Sequence, residues 1–306
     1  MNILLPSTGR RVTLIKLLRQ AAKKLDIPLK LVGTEIYEHT PSLRFCDYFE
    51  MVPRMDHANF NEALKDVLDK YQIDFILPGS DLDLKYFLSN PIDSKVRVLD
   101  SGSTLKKFLS KTESAEFFKK HGLNVPEIYQ KNGSKSYPSV LKEDLGYGSV
   151  NQFKIYSDAE LDVFWPRLTN GFIQKWVDGK EYTVDVFSDN DCNIINILPR
   201  VRDKVRAGVS DVGYVCMNQK LIELIQSINQ NFALKGPWNI QCIEHNNEFY
   251  FLEINPRFSG GIPLTIAAGL DFCQNLLEWA CDRKISSFEV EHEHLIMMKY
   301  ESELYV

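Results

Sequence analysis

The densest chemistry in the chain lies in Phe249-Tyr-Phe-Leu-Glu-Ile-Asn-Pro-Arg-Phe-Ser-Gly-Gly261. Side chains alternate across a strand, so Glu253 and Asn255 share one face while Leu252 and Ile254 take the other. A carboxylate and an amide oxygen side by side at a strand's end suit a hard cation such as Mg²⁺. Arg257 lies just beyond and can meet a phosphate or a carboxylate with two parallel hydrogen bonds. The preceding apolar run, Trp238–His245, reads as the partner strand of a hairpin. A three-residue loop, Asn246–Glu248, pairs Ile240 with Ile254, Cys242 with Leu252 and Gln241 with Glu253. That register keeps one face apolar and gathers Gln241, Glu253 and Asn255 on the other as candidate metal ligands.

Two further runs could meet a nucleotide. Pro138-Ser-Val-Leu-Lys142 delivers a lysine from a strand into a loop containing Gly146, Gly148 and Ser149. Glycines let backbone N–H groups approach phosphates closely, and Lys142 would act there as a point charge. Phe172-Ile-Gln-Lys-Trp-Val-Asp-Gly-Lys-Glu181 offers a connector. Its backbone around Gln174–Val177 can face an adenine edge, and Glu181 can accept from ribose hydroxyls. Taken singly, each run also fits an ordinary hairpin. Nothing matches a P-loop or a GxGxxG fingerprint, because Gly179-Lys180 is followed by Glu.

These residues need strands that end together. Through residue 99, short apolar strands (Ile3–Leu5, Leu29–Val32, Phe75–Leu77, Val96–Leu99) alternate with the helical patterns Thr13–Leu25 and Asn59–Tyr71. That alternation argues for a parallel sheet with crossover helices, whose ligands gather beyond the strands' carboxyl ends. Ser7–Arg11 and Gly79-Ser80-Asp81 sit at two such ends. After a helix over Lys111–His121, with Thr112 as its candidate N-cap, the strands become antiparallel in pattern, and helices fall at Asp158–Leu168 and Leu221–Ala233. The fold class is therefore α/β followed by α+β.

Composition sets the outer bounds. The chain has 306 residues, 44% hydrophobic and 25% charged, with net charge −5, which makes a globular chain of about two domains and asks for no polyanionic partner. The expectation is no nucleic acid and no membrane: no apolar run approaches a transmembrane span, and no signal-peptide core precedes Pro6. Six cysteines without a CxxC pair read as small core residues in a reducing, cytoplasmic setting.

The three nucleotide and metal runs, in this order, resemble the ATP-grasp superfamily, in particular its carbamoyl-phosphate-synthase-like and D-alanine–D-alanine-ligase-like members. The resemblance covers residues 104–281. It implies a Rossmann-like pre-ATP-grasp domain over 1–103, then an ATP-grasp domain over 104–306 with a small lobe at about 111–175 and a large lobe at about 176–306. It implies ATP with one or two Mg²⁺ (or Mn²⁺) as cofactors. Lys111 and Lys142 become the nucleotide lysines, and Gly146, Gly148 and Ser149 the loop over the triphosphate. Gln174, Lys175 and Val177 become the adenine segment, and Glu181 the ribose ligand. Gln241, Glu253 and Asn255 become the metal set, and Arg257 stands beside the γ-phosphate and the reacting acyl group. Many relatives have Glu where this chain has Gln174, and Gln at 241 is the variant of the carbamoyl-phosphate synthases.

One run lies outside these matches. Arg200, Arg202, Lys204 and Arg206 alternate, so an extended chain puts them on one face. They make either a solvated edge strand or a cationic wall over the site that holds a γ-phosphate or a substrate carboxylate. Arg206 counts here as a catalytic candidate and Gly208 as a hinge, and Tyr214 and Phe258 are candidates for the pocket wall. Glu291-His-Glu-His294 reads as a polar strand edge rather than a metal motif.

The function implied is a ligase that phosphorylates a small-molecule carboxylate and joins the acyl phosphate to an amine. The alternatives are a carbamoyl- or carboxyl-phosphate-forming enzyme using bicarbonate, and a non-catalytic nucleotide-binding protein. A homodimer is the assembly common among relatives.

Overall fold

The computed structural model describes residues 1–92, 95–99, 105–145, 151–206 and 208–306. The first layer is built from β1 (Asn2–Pro6), α1 (Val12–Lys24), β2 (Lys30–Glu35), β3 (Tyr48–Met51), α2 (Phe60–Tyr71), β4 (Phe75–Ile76), α3 (Asp81–Ser89) and β5 (Arg97–Val98). Its five strands are parallel in the order β3-β2-β1-β4-β5. The expected strands are all present, and β3 adds one that its short Tyr-Phe-Glu-Met run did not announce. The direction of sheet growth reverses between β1 and β4, which opens a crevice at their carboxyl ends. The loop 7–11 and the N-terminus of α3 line it. Ser80 caps α3 through a reciprocal pair with Asp83.

Two short helices follow, α4 (Leu105–Phe108) and α5 (Lys111–Lys120). Ser110, not Thr112, caps α5 by accepting from the Glu113 N–H, and the Thr112 N–H is instead held by Asp144. A small antiparallel sheet in the order β6-β9-β7-β8 comes from β6 (Ile128–Tyr129), β7 (Ser139–Glu143), β8 (Phe153–Ile155) and β9 (Gly171–Lys175), with α6 (Asp158–Phe164) packed on it. The expected helix to Leu168 stops earlier, and Trp165–Arg167 tightens into a 3₁₀ turn around Pro166.

The large sheet is antiparallel, in the order β14-β13-β10-β11-β12-β15. Its elements are β10 (Lys180–Ser188), β11 (Ile194–Arg206), β12 (Val209–Val215), α7 (Gln219–Phe232), β13 (Gly236–His245), β14 (Glu248–Asn255), α8 (Ile262–Ala267), α9 (Phe272–Ala280) and β15 (Ile296–Met298). β9 and β10 belong to different sheets, so residues 176–179 connect the two lobes rather than closing a hairpin. Glu291–His294 lies in an exposed turn before β15 and forms no strand edge.

The β13–β14 register reaches the expected face by another route. His245 pairs with Glu248, so the turn is only Asn246 and Asn247, both with positive φ (51° and 62°), as a tight hairpin turn demands. A bulge after Gln241 then shifts the ladder: Cys242 pairs with Phe251, while Gln241 pairs with Glu253 and Ile240 with Ile254. The chain uses a bulge at Leu252 where a longer turn was expected, and both solutions bury Ile240 and Ile254.

The cores do not follow the sheets. One cluster joins Ile3, Leu5, Ile15 and Phe75 of the front layer to Phe258, Ile262, Leu276 and Trp279 of the large lobe. A second fills the space between the large sheet and α5 and α7. The small lobe has a core of Leu141, Ile155, Leu161 and Ile173. Phe258 is buried in the first cluster and Tyr214 packs at the edge of the second, so neither forms the pocket wall assigned to it.

Candidate active site

The three sheets meet around a cavity of about 470 Å³. Its lining includes Lys111, Lys142, Gln174, Lys175, Val177, Glu181, Gln241, Glu253, Asn255 and Arg257, so ten of the sequence-level candidates converge here. Gly146, Gly148 and Ser149 lie outside the described residues.

The small lobe supplies Lys142 from the end of β7, and its Nζ donates to Gln174 Oε1 at 3.0 Å. Burial pulls the Lys142 ammonium down to about 8; Glu253 and Glu181 oppose that shift and Lys111 reinforces it. Lys111, at the first position of α5, donates to the backbone oxygens of Glu143 and Asp144 at 3.3 Å. The linker after Lys175 is pressed against the large sheet at Gly179, where a Cβ would sit 2.1 Å from the Glu244 carbonyl oxygen. Only glycine permits that approach.

The large sheet supplies the acidic face. Asn255 Nδ2 donates to Glu253 Oε1 at 3.2 Å. Arg202 Nη1 donates to Gln241 Oε1 at 2.9 Å and also pairs with Glu181. The two groups expected at the ribose and the metal thus share one guanidinium. Gln241, Glu253 and Asn255 present a single carboxylate and two amide carbonyls, all hard oxygen donors, which fits Mg²⁺ or Mn²⁺ and not a soft metal.

Arg257 is held from two domains. Its Nε and Nη2 donate to the Asp81 carboxylate at 2.7 and 2.9 Å, and Nη2 also reaches Asn255 Oδ1 at 3.2 Å. Burial opposes ionisation of both partners, yet their attraction outweighs it: Asp81 is held below the usual carboxylate range and Arg257 is raised. Asn239, 1% exposed, fixes the chain beyond β14 by donating to the backbone oxygens of Asn255 and Arg257. Neither Asp81 nor Asn239 was a sequence candidate. The first lay in the Gly79-Ser80-Asp81 strand end, and the second gives no signal in a strand of apolar neighbours.

The basic run does not behave as one face. Irregularities in the β11–β12 ladder fall on both sides of Lys204 and break the two-residue period. Arg200 and Arg202 point to the cavity side, Val205 takes the inward place next, and Arg206 swings out to pair with Asp211 and Glu301. Arg206 is therefore corrected: it is exposed and does not line the cavity. Arg200, 2% exposed, is locked by Asp185 at 2.8 Å and Ser259 at 2.7 Å, with Thr265 also donating to Asp185 at 2.6 Å. Its guanidinium fills the space where a Cβ on Gly261 would stand. Arg11, from the front layer, completes the lining.

Comparison with known proteins agrees with this layout. Residues 168–303 match the family model described as ATP-grasp in the biosynthetic pathway with Ter operon, and residues 3–96 match the PylC-like N-terminal domain. The carbamoyl phosphate synthase large chain of Campylobacter jejuni is 26% identical over 242 residues, spanning 68% of this chain but 21% of that protein. The chain thus spans about a fifth of the length of that relative. Among solved structures, N5-carboxyaminoimidazole synthetase from Staphylococcus aureus, complexed with ADP, superposes with TM-score 0.75 at 19% identity, covering 98% of this chain and 82% of that one. L-amino acid ligase from Bacillus licheniformis gives TM-score 0.69 at 14% identity, covering 91% and 74%. Residues 3–96 thus form a PylC-like N-terminal domain and residues 168–303 belong to an ATP-grasp domain.

Proposed function

We propose that this chain is an ATP- and Mg²⁺-dependent carboxylate–amine ligase acting on small molecules. The observation that carries this reading is the convergence of two lysines, an oxygen-only donor set and a braced arginine on one cavity. Lys142 and Lys111 neutralise the triphosphate, with the adenine against the 174–177 backbone and Glu181 at the ribose. Gln241, Glu253 and Asn255 hold the metal, which when bound shields charge on the transferring phosphoryl group. Arg257, oriented by Asp81, holds the acceptor carboxylate in line with the γ-phosphorus. Phosphoryl transfer needs positioning and charge neutralisation more than a protein nucleophile, and these residues supply both. The carboxylate oxygen attacks the γ-phosphorus and ADP leaves. The amine then attacks the acyl carbon and inorganic phosphate departs.

Arg202 has a place in this sequence. It now pairs with Glu181 and donates to Gln241, and both must be released for ribose and metal, so nucleotide entry turns its guanidinium towards the phosphates. The six cysteines are free, which supports a reducing, cytoplasmic setting. A homodimer is proposed as the assembly, and light scattering tests it.

Hydroxamate trapping tests the chemistry. The chain is incubated with ATP, Mg²⁺, hydroxylamine and a panel of carboxylic acids. Acid-dependent hydroxamate with stoichiometric ADP is expected. The similarity to carbamoyl phosphate synthase favours bicarbonate as a second reading. Bicarbonate-dependent ATP cleavage without hydroxamate from any acid selects that one. No ATP cleavage under any condition overturns both.

A further inference from the structure

Among the described arginines that line the cavity, Arg11 alone has no carboxylate in ion-pair contact. Arg200 is answered by Asp185, Arg202 by Glu181, and Arg257 by Asp81. The Arg11 side chain makes one hydrogen bond, from Nη2 to the backbone oxygen of Gly79, and no ion pair among the described residues. The two carboxylates that act on it electrostatically are already committed. Asp83 accepts from Ser7, from the Ser80 hydroxyl and from the Gly79 and Ser80 N–H groups. Asp81 is spanned by Arg257.

The position compounds the cost. Arg11 closes the loop after β1, at the point where sheet growth reverses, and its side chain is half-buried in the cavity lining. Burial, with Arg257 as the next cause, drags its guanidinium down to about 10, and Asp83 and Asp81 offset only part of that. A positive group held there without an ion pair favours the arrival of an anion. A second cation stands at the same end. Lys299, on the segment after β15, donates to the Gly260 carbonyl oxygen at 3.0 Å. Burial lowers it, and Arg200 and Arg11 lower it further. The cavity also contains a hydroxyl without a partner among the described residues, Ser210 Oγ, on a residue 3% exposed.

We propose that Arg11 is the specificity-determining residue for a second carboxylate on the acid substrate, so that the chain acts on dicarboxylates. This rests on the ligase reading, in which the first carboxylate is held by Arg257. The two arginines then bind the two ends of one molecule. One end is phosphorylated, while the other is gripped by a planar donor fork that matches carboxylate geometry. The substrate's second charge also relieves the repulsion between Arg11 and Arg257.

The test compares acids of equal length, glutarate against pentanoate, binding to the full chain in the presence of ADP and Mg²⁺. Calorimetry is the readout, so the result does not depend on turnover. The wild type should bind glutarate at least about 10-fold more tightly, because a charge-assisted pair is added. Arg11→Gln should collapse that ratio towards one without changing the affinity for ADP. Arg11→Lys, which keeps the charge but loses the fork, should recover part of it. Thermal melting of each variant confirms folding. Three results overturn the proposal: equal binding of the two acids by the wild type, an unchanged ratio in Arg11→Gln, or a loss confined to ADP, which would assign Arg11 to phosphate. Failure of the ligase reading has a different signature: glutarate binds with the expected Arg11 dependence, but hydroxamate trapping yields nothing.

Discussion

Arg257 and Lys142 face one cavity, yet the regions that hold them differ in kind. Arg257 rises from a body whose core runs continuously from the front layer into α8 and α9. Two hydrogen bonds to Asp81 tie it across that seam. Lys142 belongs to a lobe with a much smaller core and is held by a single bond to Gln174. The group that must stay aligned with a reacting carboxylate sits on the rigid part. The group that must let a nucleotide in sits on the part with least to lose by moving.

The largest expected effect breaks the rigid side. Asp81→Asn leaves Arg257 without its counter-charge, a loss of about 2–3 kcal/mol for a pair that retains some solvent access. Turnover should fall about 100-fold, because Arg257 drifts by a fraction of an ångström to an ångström. The ATP KM should change far less than kcat in steady-state kinetics. An equal change in both would place Asp81 at the nucleotide instead.

Lys142 sharpens the contrast through pH. Its ammonium titrates near 8, so nucleotide affinity should weaken as pH rises from 7 to 9, and Lys142→Arg, which stays charged, should flatten that profile. The sign for stability is opposite. The folded value lies below the unfolded one, so between about 8 and 10 the unfolded chain binds more protons, and this group's contribution to stability rises with pH. Nucleotide titrations and thermal melts across that range should therefore move in opposite directions.

Ile173→Ala tests whether the small lobe is a separate cooperative unit. Ile173 is fully buried in that small core, and the deletion costs about 3 kcal/mol. Amide exchange should quicken in β7 and β9 while β1 and β10 keep their protection. Leu276→Ala, in the shared core, should instead lower protection throughout. The smallest effect is expected at Arg206: Arg206→Gln should keep turnover within twofold, because the side chain is exposed and points away from the cavity. A larger loss would return the hairpin tip to the reaction.

Much of this arrangement was legible in the linear chain because it follows from short-range periodicity. The alternation of Glu253, Asn255 and the buried Ile254 puts two oxygen donors on one face whatever turn precedes them. That is why these side chains share a face as expected although the loop differs. Lys142 and Glu181 were legible for the same reason, as polar residues at the end of one apolar strand and the start of another. The basic run shows the limit of that reasoning. A two-residue period holds only while the ladder is regular, and the irregularities around Lys204 turned Arg206 outward and Val205 inward. Asp81 and Arg11 were beyond periodicity altogether. They lie 176 and 246 positions from Arg257, and nothing local tells an aspartate in the first turn of a helix from one that also braces a distant arginine. Their roles exist only where α8 and α9 pack on α1, because burying that apolar face brings the two charged ends together. Local patterning thus set which side chains face a cleft, while the folding of one layer onto another set which charges meet there and which is left for a ligand.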